Sequence, residues 1–142
     1  EPTVKMSKSD ENENAYISLL DPPDAIRRKI KRAVTDSDGQ ILYSENKPGV
    51  SNLMSIYSAV TGKSFSDIEK EFEGLGYGAL KERVADVLCE ELEPLQQEYA
   101  RIRADKAYLN QVIESGARQA GANAHRMLRK VYKKIGFAPE KV

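Results

Sequence analysis

The 142-residue chain has one cysteine, one histidine and no net charge, with 22 Lys and Arg against 22 Asp and Glu. A single cysteine, Cys89, excludes an internal disulfide framework and a cysteine-based zinc site. The single histidine, His125, sits between Ala124 and Arg126 with no second ligand nearby, and zinc needs several; no metal site is expected. No apolar run approaches the roughly 18 residues of a membrane span. The polar start, Glu1-Pro2-Thr3-Val4-Lys5, is not a signal peptide. The sequence begins without Met, so a fragment is expected, and a reducing, cytoplasmic setting is the default. Gly74-Leu75-Gly76-Tyr77-Gly78 has neither the spacing nor the preceding strand of a dinucleotide fingerprint. There is no internal repeat and no low-complexity tract. Zero net charge argues against a generic polycation or an acidic tail.

What is present is enough for one domain, which at this length buries about 70% of the surface its unfolded form exposes. The neutral sum conceals a strong pattern. Residues 64–100 hold 3 basic and 10 acidic groups, net −7; residues 101–142 hold 10 and 3, net +7. The middle is acidic and the end is basic.

The periodicity predicts an all-α helical bundle. Residues 1–14 carry no apolar period and read as a mobile loop; residues 15–142 read as one helical domain. Residues 15–20 suit one short turn. Asp21 is the expected N-cap of a helix with Pro22 at its first position, and Ile26, Ile30 and Val34 form its apolar face. Residues 35–39 make a turn, 41–43 are extended, and Val50, Leu53, Met54, Tyr57 and Val60 mark a helix ending at Gly62. Ser66-Asp67-Ile68-Glu69 fits a capping box for a short helix reaching Phe72 or Glu73. A long stripe runs through Leu80, Val84, Val87, Leu88, Leu92, Leu95, Tyr99 and Ile102, with Pro94 expected to kink or split it. Leu109, Val112 and Ile113 mark another short helix. Ala117, Ala120, Ala124, Met127 or Leu128, Val131 and Ile135 mark a last long one.

The sharpest local feature is Lys5-Met6-Ser7-Lys8-Ser9. Each lysine is a compact charge with three donors, and serine hydroxyls with loop amides add more, a set that suits a polyphosphate. A loop can also close over a transition state and open for release. On physics alone a solvated terminal tail is the favoured reading.

The exact string KMSKS is the signature loop of class I aminoacyl-tRNA synthetases, and chance would produce it on the order of once per million positions at average residue usage. Residues 21–38 (DPPDAIRRKIKRAVTDSD), 47–53 (KPGVSNL) and 73–81 (EGLGYGALK) resemble the C-terminal half of the bacterial tryptophanyl-tRNA synthetases. So does the run from Gly116-Ala117-Arg118 to the basic last helix. The resemblance covers essentially the whole chain. Leu75 departs from it, standing where a polar residue is expected. The tyrosyl enzymes share the fold but are not expected to share the AVTDS and KPGVSNL blocks.

The resemblance implies a ligase that uses ATP with Mg2+ to activate tryptophan and transfers it to tRNA(Trp), in protein biosynthesis. It implies that Lys5, Met6, Ser7, Lys8 and Ser9 contact ATP. Lys8 carries the strongest catalytic role and Lys5 a supporting one, on the pyrophosphate leaving group. Ser7 and Ser9 donate to phosphates, and Met6 is structural. The partner HIGH-type motif belongs to a Rossmann domain and is absent, because His125 lies on the last helix. The piece alone is therefore expected to be inactive and to hold no cofactor. The parent is expected to be a cytoplasmic homodimer with no membrane association. An apolar patch including Ile17, Leu19 and Leu20 is expected where the missing Rossmann domain packs.

On the last helix, Arg126, Arg129, Lys130, Lys133 and Lys134 fall at i, i+3, i+4, i+7, i+8, with Arg118 further back. This face, expected beside the Leu128-Val131-Ile135 face, could neutralise phosphates, and with the resemblance it is the candidate tRNA face. A solvated face, or one paired with the acidic segment, is the plainer reading. Arg27 to Arg32 form a second basic cluster that could touch RNA or the missing domain. Glu90, Glu91 and Glu93 read as solvated, Cys89 as a small apolar residue, and Tyr77 as packing with a weaker RNA-stacking option. Two other readings stay open: a free-standing helical RNA-binding or interaction module, and a tyrosyl-type fragment.

Overall fold

The computed structural model describes residues 12–137, all of it helix, turn and loop; no strand occurs among the described residues. A 3-10 turn, Glu13–Ala15, precedes α1 (Pro23–Arg32), α2 (Pro48–Thr61), α3 (Phe65–Glu71), α4 (Tyr77–Ala104) and α5 (Lys106–Ile135). The all-α expectation holds. The chain divides into two compact units between Gln97 and Glu98.

The first unit has one core. Ile26 and Ile30 of α1 meet Val50, Leu53, Met54 and Tyr57 of α2, Ile68 of α3, and Leu80, Val84 and Val87 of α4. Ile41 is buried in the same core from a segment without regular structure. Tyr57 is fully buried, so its hydroxyl needs a partner; it donates to Glu71 Oε1 at 3.0 Å.

Several local expectations change. Pro22, not Asp21, is the N-cap of α1, with Pro23 inside the first turn. Asp21 is used elsewhere: its Oδ2 accepts from Lys29 Nζ at 2.6 Å and from the Ser18 amide at 3.0 Å. Burial alone would raise its carboxyl pKa, but these donors outweigh burial and hold it below the ordinary value. α1 also stops at Arg32, and Val34 is 68% exposed rather than on the apolar face. Ala33 leaves the helix (ψ 139°), and its carbonyl accepts from Lys81 Nζ at 2.7 Å. That turn carries the Val34 carbonyl against Gly49, where a Cβ would collide with it. Glycine is required there by close approach, not by a left-handed backbone.

α2 ends as expected, at a left-handed Gly62 (φ 73°). α3 starts two residues earlier than the sequence suggested. Ser64 is the N-cap, accepting from the Asp67 amide at 3.2 Å, and its hydroxyl also reaches the Asp67 carboxylate. This start places Phe65 in the helix, stacked on Tyr43 with ring centroids 3.8 Å apart.

Pro94 does not split α4, which runs from Tyr77 to Ala104. Proline frees the carbonyl four residues back, and both Glu90 and Pro94 are exposed, so water can take that carbonyl. The two helices expected after Asp105 are one helix of 30 residues. Ser115 and Gly116 lie between the two apolar sets, but no proline enforces a break there. An interior glycine costs only about 1 kcal/mol against alanine. Asp105 caps α5 by accepting from the Tyr108 amide at 2.9 Å, and Gly136 (φ 80°) ends it.

Candidate functional site

The signature string Lys5 to Ser9 lies outside the described residues. The segment that follows it is described from Asn12. Of the apolar patch expected there, Leu19 (58%) and Leu20 (47%) are exposed, whereas Ile17 packs against the core of the first unit.

In that unit the three sequence blocks that carry the family resemblance converge on one charged cluster. Lys47 opens the KPGVSNL block, and taken as a whole residue it is the one buried charged residue among the described residues. Its Nζ contacts Asp38 and lies 3.3 Å from Asp36 Oδ1, 3.1 Å from the Gln40 carbonyl and 3.1 Å from the Tyr77 hydroxyl. The Tyr77 hydroxyl in turn reaches Asp36, Asp38 Oδ1 (2.8 Å) and the Gln40 carbonyl (3.1 Å). Asp36 and Asp38 come from the first block, Lys47 from the second and Tyr77 from the third. A turn, the start of α2 and the start of α4 are thus tied at one point.

The electrostatics follow from this packing. Hydrogen bonds from Lys47, the Gln40 amide and Tyr77 hold the Asp38 carboxyl well below its ordinary value. The Tyr77 hydroxyl does most to lower Asp36. Burial would lower the Lys47 ammonium, but Asp38, Tyr77 and Asp36 outweigh it and raise it. Burial, then the two carboxylates, pushes the Tyr77 phenol up to about 12. Every member is engaged inside the cluster, so its chemistry is that of a structural tie. Sequence reasoning reads Tyr77 as packing and does not single out Lys47, Asp36 or Asp38. A lysine directly before Pro-Gly, and two aspartates spaced i, i+2 in a turn, are the signals that could have found them.

The second unit carries the basic face. Arg126, Arg129, Lys130, Lys133 and Lys134 all lie on α5 and are all exposed. None pairs with a carboxylate among the described residues. Arg118 is exposed too, 4.0 Å from Glu114 one turn back. At 100° per residue the five span an arc of roughly 140°. That arc lies opposite Ala117, Ala124, Val131 and Ile135 rather than beside the apolar face. The helix therefore presents a continuous cationic side, the arrangement that attracts a polyanion.

The remaining candidates separate. In the Arg27–Arg32 cluster, Arg27 pairs with Asp86 of α4 and Lys29 with Asp21. Arg28, Lys31 and Arg32 stay exposed. Cys89 is half-buried, 3.9 Å from the Pro23 carbonyl, and burial pushes its thiol up, away from thiolate chemistry. His125 is exposed. Among the described residues no three His, Cys, Asp or Glu side chains group as metal ligands. No described helix is long and apolar enough to cross a membrane.

These features, a signature pentapeptide ahead of a helical unit and a basic last helix, are those of an aminoacyl-tRNA synthetase. Residues 1–93 match the family described as tRNA synthetases class I (W and Y), and the chain belongs to that family. Over 141 residues it is 50% identical to a tryptophan–tRNA ligase of Clostridium tetani, an alignment covering 99% of this chain and 42% of that protein. It is 49% identical over 142 residues to the tryptophan–tRNA ligase of Clostridium acetobutylicum, with 99% and 42% covered. Its fold matches the crystal structure of tryptophanyl-tRNA synthetase from Mycoplasma pneumoniae at a TM-score of 0.69 and 27% identity, covering 99% of this chain and 44% of that one. The chain spans about 42% of the length of the curated relatives it matches.

Proposed function

We propose that the chain is the C-terminal part of a tryptophan–tRNA ligase, contributing phosphate contacts to tryptophan activation and a face for tRNA(Trp). The observation that carries this is the 50% identity to a tryptophan–tRNA ligase over 99% of the chain. In activation the tryptophan carboxylate attacks the α-phosphorus of ATP, and the bond to pyrophosphate breaks. Charge builds on that leaving group. Lys8, helped by Lys5, neutralises it, while Ser7 and Ser9 donate to phosphate oxygens and Met6 supports the loop. Mg2+ accompanies ATP in the parent enzyme. The resemblance assigns the reacting partners of the loop to a nucleotide-binding domain elsewhere in the parent. The isolated chain is then inactive. We assign the parent to the cytoplasm, as a homodimer.

The exposed face of Arg126, Arg129, Lys130, Lys133 and Lys134, with Arg118, supports reading the last helix as a tRNA contact, on the anticodon side if the resemblance extends that far. The test is amino-acid-dependent ATP–pyrophosphate exchange by the full-length protein that contains this chain. Exchange with tryptophan and none with tyrosine is expected; exchange with tyrosine would move the chain to the tyrosyl branch. The 142 residues alone should give no exchange. Salt-sensitive tRNA binding by a chain whose full-length parent has no ligase activity would favour a free-standing RNA-binding module instead.

A further inference from the structure

Resting on that reading, we propose that Gln96 and Lys29 are positioning residues for the phosphate-contacting segment: they clamp the strand of chain that leads out of it. The clamped stretch, residues 16–21, belongs to no helix and no sheet. Its backbone polar groups therefore need partners from elsewhere. Two side chains supply the fixings, from two different helices of the first unit. Gln96 of α4 uses one amide nitrogen, Nε2, to donate to the Leu19 carbonyl at 2.9 Å and to the Asp21 carbonyl at 3.0 Å. Lys29 of α1 donates to Asp21 Oδ2 at 2.6 Å, with its side chain 9% exposed and that of Asp21 18%. The same ammonium lies 5.1 Å from the centroid of the Tyr16 ring.

The turn is then closed internally. The Ser18 amide donates to Asp21 Oδ2 at 3.0 Å and the Asp21 amide to the Ser18 carbonyl at 3.0 Å. Ile17 adds an apolar anchor on the core. A lysine that reads as part of a basic cluster for RNA or the missing domain is thus almost wholly buried against one carboxylate. A glutamine next to an identical residue, Gln97, is the one turned onto the backbone of the leader segment; Gln97 instead donates to Glu93 at 3.1 Å on its own helix.

The consequence is geometric. Six residues separate Ser9 from Tyr16, seven steps of chain that can span at most about 25 Å. The position of the clamp therefore bounds where the signature residues can act. Loosening it should degrade alignment of the lysines with pyrophosphate while leaving the tryptophan site alone. Neither Gln96 nor Lys29 needs to touch a substrate for this.

The experiment uses the full-length enzyme carrying Gln96→Leu, Lys29→Met or Lys29→Arg, with Gln97→Ala as control. Steady-state pyrophosphate exchange is measured against ATP and tryptophan separately, with amide hydrogen exchange over residues 16–21 on the same samples. Gln96→Leu and Lys29→Met should lower kcat/KM for ATP about tenfold, with KM for tryptophan within about twofold and faster exchange at Ser18, Leu20 and Asp21. Lys29→Arg, which keeps the ion pair, should recover most of the loss, and Gln97→Ala should match the parent. Faster amide exchange with unchanged ATP kinetics overturns the proposal. So does unchanged amide exchange, or a rise in KM for tryptophan as large as the loss toward ATP. A parent with no tryptophan-dependent exchange overturns the functional reading itself, a result the variants do not mimic.

Discussion

Replacing Gly49 with alanine should destabilise the first unit although it adds only one methyl group and removes no hydrogen bond. A Cβ there would overlap the Val34 carbonyl oxygen and press on Val34 C at 3.0 Å, so the obstacle is backbone, not a side chain that can swing away. Relief requires moving either the Ala33–Thr35 turn or the first turn of α2. Moving either one strains the Lys47 cluster beside it, because Asp36 follows that turn and Lys47 caps that helix. Overpacking of this kind costs about 1–3 kcal/mol. For a unit of this size each kcal/mol lowers the midpoint by about 4–8 °C. Thermal unfolding followed by circular dichroism should thus show a drop of at least about 4 °C. Gly116→Ala is the matched comparison. It lies inside α5 with nothing within 4 Å of its added Cβ, so it should stabilise the helix by about 0.5–1 kcal/mol. A Gly49→Ala midpoint equal to or above that of the parent would refute the close-approach reasoning.

Other outcomes follow from the same geometry. Ser64→Ala removes the α3 cap and should cost about 1 kcal/mol in urea unfolding. Asp36 and Asp38 titrate below their ordinary values in the folded state, so their contribution is complete above about pH 4 and is lost as pH falls through the folded values. Urea midpoints measured from pH 5 down to pH 2 should fall less steeply for Asp38→Asn than for the parent. Changing Arg126, Arg129, Lys130, Lys133 and Lys134 together to Gln should weaken tRNA binding. It should also flatten the log affinity against log salt plot by roughly 0.7–0.9 for each phosphate that is no longer neutralised, with pyrophosphate exchange unaffected.

The helices were legible because apolar spacing survives whatever the neighbours do: Ile26 and Ile30, Leu53 and Tyr57, Leu80 and Val84 all lie in the core. Boundaries were harder, since capping is a competition among nearby candidates. Ser64 prevailed over Ser66, and Pro22 over Asp21, which Lys29 and the Ser18 amide already occupied. The expected split at Pro94 misled for a related reason: proline removes a helical hydrogen bond, but an exposed position leaves water to satisfy the carbonyl it frees. The basic face of α5 was visible as a pattern of charges, and the same 100° spacing over residues 117–135 sets it opposite the apolar side rather than beside it. The Lys47 cluster was hidden because its members lie up to 41 residues apart, and composition cannot report a contact across that distance. The motif blocks were recognisable as strings; that they meet at one point is a property of the fold alone.

The central claim, that this chain brings the leaving-group lysines to a tryptophan-activating enzyme, is tested most directly by one rate. It is that of tryptophan-dependent ATP–pyrophosphate exchange by the full-length protein with Lys8→Ala. Removing a charge that acts on the developing pyrophosphate should lower kcat by about 100-fold or more, with KM for tryptophan within about twofold of the parent. A Lys8→Ala enzyme that exchanges at the parental rate would contradict it.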